Sequence, residues 1–425
     1  MKKSTIAVSL CLSVISSGAQ ALDWSLSSTL TETVEANDNP FLRAVAGGTL
    51  SSYSTIIANA TARMPDAKFA FDGSVYYQKY WGPGADGVPS ENLGGSAHFL
   101  YEAKGKVDGD REYVETGWHR STAAFALLGQ LGVLTNARGF IDTSSVGGGI
   151  DRSLSALDSV SIAAHSIYNS YDPGVAGIAF VDTLANATWK HRISPIATLI
   201  ASSEAEFEHF DNVLNTDITI LRETGGFDAT FTPLLSLRGM AGVAYVQTER
   251  GSPTFSILPV TTPPGTISNA SVSGSLTDFI GNLVLTYKLL PDTTLTLNAN
   301  QTIAPSTVGS LIKTSTVGTG LSYRVNSHQT LSFEADVSRT ISSGVSSDFL
   351  AGSIVYSYIL TREWTVQLSY RHLHEFAVSG ASSTGFTVDP ITGIPIPLVS
   401  GIGPADSNAV TATVSRTINV LPDGY

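Results

Sequence analysis

The sequence predicts an all-β fold: a transmembrane, antiparallel up-and-down β-barrel of about eighteen strands, with sixteen as the alternative count. The first observation behind this is a repeat. Tyr287-Lys-Leu289, a polar break and Leu295-Thr-Leu297 return as Tyr323-Arg-Val325 with Leu331-Ser-Phe333, and again as Tyr358-Ile-Leu360 with Val366-Gln-Leu368. Looser copies start at Arg152, His191 and Phe227, so successive starts are 39, 36, 60, 36 and 35 residues apart. A repeat of that length holds two strands, a tight turn and a longer loop. Such hairpins form no core alone and must close on one another. The second observation is a period-two alternation of apolar and polar residues over segments long enough to cross a bilayer. The third is low charge: 14% of residues, against about 25% in ordinary soluble domains.

Residues 1–21 read as a secretory signal peptide, leaving 22–425 as the barrel. Lys2 and Lys3 form a positive start, Ile6–Ile15 a short apolar run and Ala19-Gln20-Ala21 a cleavage site. The run is well short of the ~20 residues that a spanning helix needs. The single cysteine, Cys11, lies in this segment, and Leu10 stands where a lipoprotein signal requires a small residue. The processed chain therefore lacks cysteine, which excludes a disulfide scaffold and a thiolate metal site. Without Lys2 and Lys3, 22 basic residues face 36 acidic ones, and a net charge of −14 argues against nucleic acid as a partner.

The strands follow from alternation. Phe279, Leu283, Leu285, Tyr287 and Leu289 share one face, with Asp278, Asn282, Thr286 and Lys288 on the other. The next strand sets Leu295, Leu297, Ala299 and Ile303 outward and Thr294, Thr296, Asn298 and Asn300 inward. Leu331, Phe333, Ala335 and Val337 oppose Thr330, Ser332, Glu334 and Asp336, and the last strand sets Val410, Ala412, Val414 and Ile418 against Thr411, Thr413, Ser415 and Thr417. Short turns fall near Met64-Pro-Asp, Val107-Asp-Gly-Asp, Leu154-Ser-Ala, Ser194-Pro195, Thr232-Pro233, Pro291-Asp292, Asn326-Ser327 and Thr361-Arg362. Eight such turns join nine hairpins. Longer connections alternate with them at 35–47, 82–94, 126–141, 172–179, 209–215, 249–274, 304–311, 342–347 and 377–405, which places both termini on the short-turn, periplasmic side. Trp24, Tyr53, Tyr76, Tyr77, Tyr80, Trp81, Trp189, Tyr245, Tyr287, Tyr323, Tyr356, Tyr358, Trp364 and Tyr370 cluster toward strand ends, where amphipathic rings suit the two membrane interfaces. Arg339 and Arg416 interrupt the outward rows near strand ends, where the cost of a lipid-facing charge is small.

Two motifs carry a family resemblance. A first strand runs into an acidic turn, Thr31-Glu-Thr-Val-Glu-Ala-Asn-Asp38-Asn39-Pro-Phe41-Leu42, and hairpins carry Leu/Ile-x-Pro, as in Ile193-Ser194-Pro195 and Leu289-Leu290-Pro291. In these features nearly all of the chain after the signal segment resembles bacterial outer-membrane porins of the β-barrel porin 2-like type, including barrels associated with exopolysaccharide and exosortase systems. The resemblance implies the cell outer membrane as location, with its lipid and the barrel-assembly machinery as partners. It also implies small polar solutes or an envelope polysaccharide as cargo. Such barrels usually end in an aromatic residue recognised during assembly. Here Tyr425 is preceded by Pro422, Asp423 and Gly424, so the last strand is expected to end near Val420 or Leu421.

Alternation assigns Asp72, Glu102, Lys104, Glu204, Glu206, Arg238, Asp278, Lys288, Arg324, Glu334, Asp336 and Arg371 to the barrel interior. Both signs occur, so they either form a transverse field that orients solutes or are simply solvated and paired. Glu204, Glu206 and Glu208 alternate on one face toward His209-Phe-Asp211, and three carboxylates there bind a cation, repel anions or form a plain solvated strand end, the last being the expected reading. Asn37-Asp38-Asn39 and Asn169-Ser-Tyr-Asp172-Pro read as Asx turns without calcium-loop spacing. His372 and His374, near Glu375, lack a zinc-binding pattern, and no metal site or cofactor is expected. No G-x-S-x-G, P-loop or dinucleotide fingerprint is present, so the expectation is a protein that is not an enzyme. The Pro-rich connections 249–274 and 377–405 are long enough to constrict a pore or to act as surface loops. A porin-like channel, a plugged structural or adhesive barrel, and a soluble propeller with four strands per repeat remain as alternatives, in that order.

Overall fold

A computed structural model describes residues 23–421 except 41, 43–45, 86–89, 106, 108, 123–138, 173–177, 212–214, 251–271, 306–310, 343–344, 377–385, 389–394 and 398–403. The signal segment with Cys11, residues 422–425 and most of the connections 249–274 and 377–405 lie outside the described residues.

Eighteen strands form one closed antiparallel sheet. They are β1 (Asp23–Asn37), β2 (Thr49–Arg63), β3 (Ala67–Trp81), β4 (Glu91–Lys104), β5 (Arg111–Thr122), β6 (Phe140–Ser153), β7 (Asp158–Tyr171), β8 (Phe180–Ser194) and β9 (Ala197–Phe210). There follow β10 (Thr216–Thr232), β11 (Leu235–Arg250), β12 (Val272–Leu290), β13 (Thr293–Pro305), β14 (Leu311–Asn326), β15 (Gln329–Ser342), β16 (Val345–Ile359) and β17 (Trp364–Glu375). A two-stranded ribbon, β18 (Phe386–Val388) and β19 (Pro395–Pro397), precedes the last wall strand, β20 (Ala405–Leu421). β20 pairs with both β17 and β1, which closes the ring. One ring with two strands per repeat overturns the propeller reading and settles the count at eighteen.

The alternation decides which face meets lipid. Residues directly opposite across a ladder share a face. Leu30↔Ile56↔Val75 and Leu283↔Ala299↔Val317↔Val337 are such rows, and their large members are exposed although apolar. Outward aromatics border the rows in two belts. Trp24, Phe69, Trp189, Tyr287, Tyr323 and Trp364 lie toward the short turns, while Trp81, Trp118, Tyr168, Tyr245 and Tyr370 lie toward the long connections. Tyr53, Tyr76 and Tyr80 depart from the sequence reading: their register partners put them on the inner face. Tyr76 and Tyr80 are buried there, with the Tyr53 and Tyr76 rings 5.2 Å apart. A strand end has two faces, and aromatic identity alone does not choose between them. The two arginines that interrupt the outer rows are paired, Arg339 with Asp348 at 2.6 Å and Arg416 with Glu363 at 3.0 Å beside the Trp364 ring, whereas the outward Glu32 and Glu223 accept from Ser54 and Ser203.

The short turns fall where the sequence places them. At β8–β9, β10–β11, β12–β13 and β14–β15 the register shifts by one residue just before the turn. Each shift is a β-bulge, which adds local twist where the ribbon reverses.

One hairpin leaves the wall. The β12–β13 ladder stops at Gly281↔Gln301, whereas β13 and β14 stay paired up to Pro305↔Leu311. Ile303, expected to face lipid, is 2% exposed and packs with Ile178, Phe210, Ile218, Ile220, Ala244, Val246 and Ile280. All of these but Ile178, which lies just before β8, sit on the inner face of β9–β12, so the tip of β13–β14 turns inward and lies against it. Two contacts bridge the parted strands. The Gln301 side chain donates to the Phe279 carbonyl at 2.7 Å and accepts from Ser315 at 3.1 Å, and Lys313 pairs with Asp278 at 2.6 Å. Outside, the turn leaves a hollow of about 920 Å³, walled in part by Gly225, Phe227, Ala241, Phe279, Gly281 and Ala299.

Candidate lumen site

The inner face is rich in hydroxyls and paired charges. Across the closure, Thr29 meets Thr417 and Thr33 meets Thr413, each at 3.0 Å, and Thr411 donates to Glu35 at 3.2 Å. The interior candidates are distributed around this face. Asp72 lies 3.9 Å from His98, which contacts Glu115 at 3.3 Å. Glu102 is 3.9 Å from Arg111, and Lys104 stands opposite that same arginine, whose charge is shared with Asp151 at 2.8 Å. Arg238 is opposite Asp228, and Lys288 is opposite Thr294. Asp278 is held by Lys313, and Arg324 reaches Asp292 in the preceding turn at 2.8 Å. Glu334 and Asp336 stand opposite Gly320 and Gly318, so no side chain covers them from β14. Arg371 is 3.7 Å from Glu35.

Only Glu204 and Glu206 from that set come together in a compact constellation. Glu204, Glu206 and Glu208 rise along β9 with β8 on one side and β10 on the other. Asp182 is directly opposite Glu208, Leu184 opposite Glu206 and Asn186 opposite Glu204. On the far side Ile218, Ile220 and Arg222 oppose the same three glutamates. Arg222 bonds Glu204, approaches Glu206 Oε2 at 2.5 Å and donates to the Ile303 carbonyl at 2.9 Å. The Arg222–Glu206 approach has the distance of an ion pair without the angles of a hydrogen bond, so Glu206 Oε2 stays without a hydrogen-bond partner among the described residues. Asp182 Oδ1 and Glu208 Oε2 are in the same position.

This corrects the expectation of a solvated strand end. β9 continues to Phe210 instead of yielding to a loop at 209, and Phe210 is fully buried against Phe180, ring to ring at 5.1 Å. The inward-turned tip roofs the cluster, and Glu206 and Glu208 are each 7% exposed. Asp182 and Arg222 were missed because each lies on a neighbouring strand. Their inward parity was readable in Asp182-Thr-Leu184-Ala-Asn186 and in Ile218-Thr-Ile220-Leu-Arg222; the register that brings them to the glutamates was not. His372 and His374 fall on the outer face at the rim of β17, with His374 bonded to Asp406 at 2.7 Å and His372 to Asn408 at 2.9 Å.

A ring of strands with an apolar exterior, two aromatic belts and a polar interior leaves no free sheet edge apart from the parting of β12 and β13, and suits lipid on one side and water on the other. The molecule is an outer-membrane β-barrel. No family model matches the sequence, and no curated protein matches it. Among solved structures the barrel is similar to the copper transporter OprC, at 11% identity and a TM-score of 0.48, covering 92% of this chain and 80% of that one. It is also similar to OccK2 (OpdF) of Pseudomonas aeruginosa, at 10% identity and a TM-score of 0.48, covering 94% and 98%. A third likeness is OccAB4 of Acinetobacter baumannii, at 12% identity and a TM-score of 0.42, covering 94% and 98%.

Proposed function

We propose that the barrel is a porin-like channel for small polar solutes, with its water path displaced toward the inner face of β14–β17, β20 and β1–β5. The observation that carries this is the contrast between the two halves of the interior. Ser, Thr and partly exposed charges line the proposed path, whereas the β13–β14 tip and its apolar cluster fill the extracellular end of the β8–β12 side. Barrels of this strand number commonly leave an aqueous channel. Asp72, Glu102, Lys104, Glu334, Asp336 and Arg371 then act as lining charges of both signs. The secretory signal, insertion by the assembly machinery and an envelope polysaccharide as alternative cargo rest on the sequence and its family resemblance.

Planar-bilayer recording tests the reading. Purified, folded barrel should give discrete channels, and Glu334→Lys with Asp336→Lys should shift ion selectivity toward anions without abolishing conductance. A folded barrel that gives no channels sinks it and favours the second reading, a plugged structural barrel, for which the apolar cluster inside the lumen speaks. In that case Ile303→Asp, which expels the tip, should create conductance where the native chain has none.

A further inference from the structure

We propose that Asp182, Glu206 and Glu208 form a divalent-cation site for an oxygen-preferring ion of calcium size, set inside the barrel beneath the inward-turned hairpin tip. Their carboxylate oxygens lie within 4.8 Å of one another. Two ligand oxygens on opposite sides of a calcium ion are separated by about 4.8 Å at its usual bond lengths, so one ion can touch all three groups. Magnesium demands a stricter octahedron at about 2.0–2.1 Å and gives up its waters reluctantly, so a set of three carboxylates suits calcium better.

The independent observation is an orphaned acid. Glu208 is 7% exposed, and its Oε2 has no hydrogen-bond partner among the described residues. It points at Asp182 across the β8–β9 ladder and sits beside Glu206 along its own strand, with Ile218 opposite on β10. Four carboxylates, Asp182, Glu204, Glu206 and Glu208, share one guanidinium, Arg222, and that group is committed to Glu204, Glu206 and the Ile303 carbonyl. Leaving buried acids ionised without a matching counter-charge is strongly unfavourable. Either protons or a cation must neutralise them, and converging hard oxygens favour the cation. Three carboxylates supply between three and six oxygens, and water completes the shell. Because Arg222 also holds Ile303, the ion and the tip share one anchor, and filling the site should hold the roof in place.

The test uses the full barrel, stripped with chelator in detergent at neutral pH and titrated calorimetrically with calcium chloride. One calcium per chain is expected, with magnesium much weaker and the thermal transition raised by calcium. Glu208→Gln and Asp182→Asn should each weaken calcium affinity by about tenfold or more while keeping the β-spectrum and the gel shift of a folded barrel. Glu204→Gln, outside the triad, should bind within a few-fold of the native chain. Absence of calcium binding by the native barrel, with protons neutralising the acids instead, overturns the proposal. So does native-like binding by both triad variants. Two substitutions guard against one failing to fold, and the readout does not depend on channel activity.

Discussion

At the scale of single residues, the interior is decided by who neutralises whom. Arg222 is the only guanidinium the described structure brings to the four acids of β8–β9, and its side chain is 16% exposed. Arg222→Met should destabilise the barrel by about 3–5 kcal/mol in urea titration, because it strands Glu204 and Glu206 in low dielectric. Adding Glu206→Gln should recover part of that loss, and a purely additive double mutant would argue against the coupling. Ile303→Ala should cost about 2–5 kcal/mol, as expected for a large aliphatic side chain at 2% exposure. The acids on β9 were legible, since period-two spacing puts Glu204, Glu206 and Glu208 on one face in any strand. Their burial was not, because it depends on Asp182 across one ladder, Arg222 across the other, and a roof contributed by residues about a hundred positions further along.

At the scale of elements, the hairpins were legible because their turns carry local chemistry. Pro195, Pro233 and Pro291 each fall at a short turn next to a bulge, and a proline there costs no ladder bond. The inward turn of β13–β14 carries no such mark. Ile303 continues the outward apolar row of Leu295, Leu297 and Ala299, and alternation reports only the local side of a ribbon, not where the ribbon goes. The sequence marked connections 249–274 and 377–405 as long enough to constrict a pore or to act as surface loops, and most of both lies outside the described residues; among the described residues an inward element is the tip flanking the shorter connection 304–311. Gln301 is the side chain that replaces a ladder bond at the parting of β12 and β13. Gln301→Leu should leave the outer apolar face intact and yet speed amide exchange in residues 276–281 and 301–303 by about fivefold, for the loss of about 1 kcal/mol of hydrogen bonding. Unchanged exchange there would show that the amide does not hold the seam.

At the scale of the whole molecule, closure is the feature the sequence conveyed best: eight turns, nine hairpins and both termini on one side imply that the first and last strands meet, as β1 and β20 do. Trimming β20 at Arg416 removes the register partners of Leu26, Ser27, Ser28 and Thr29, so the shortened chain should lose the heat-resistant gel mobility of a closed ring while keeping strand content by circular dichroism. What the sequence could not convey is that the ring is not uniform in thickness of bonding. Along the parting of β12 and β13 the wall has one ladder fewer, and its outer side is hollowed to about 920 Å³ between glycines and phenylalanines. A bilayer cannot leave such a hollow empty, so acyl chains must tilt or thicken locally to fill it. The stability of this stretch of wall is therefore partly a property of the surrounding amphiphile: flexible long-chain lipids complete it, and short rigid detergents leave it under-packed.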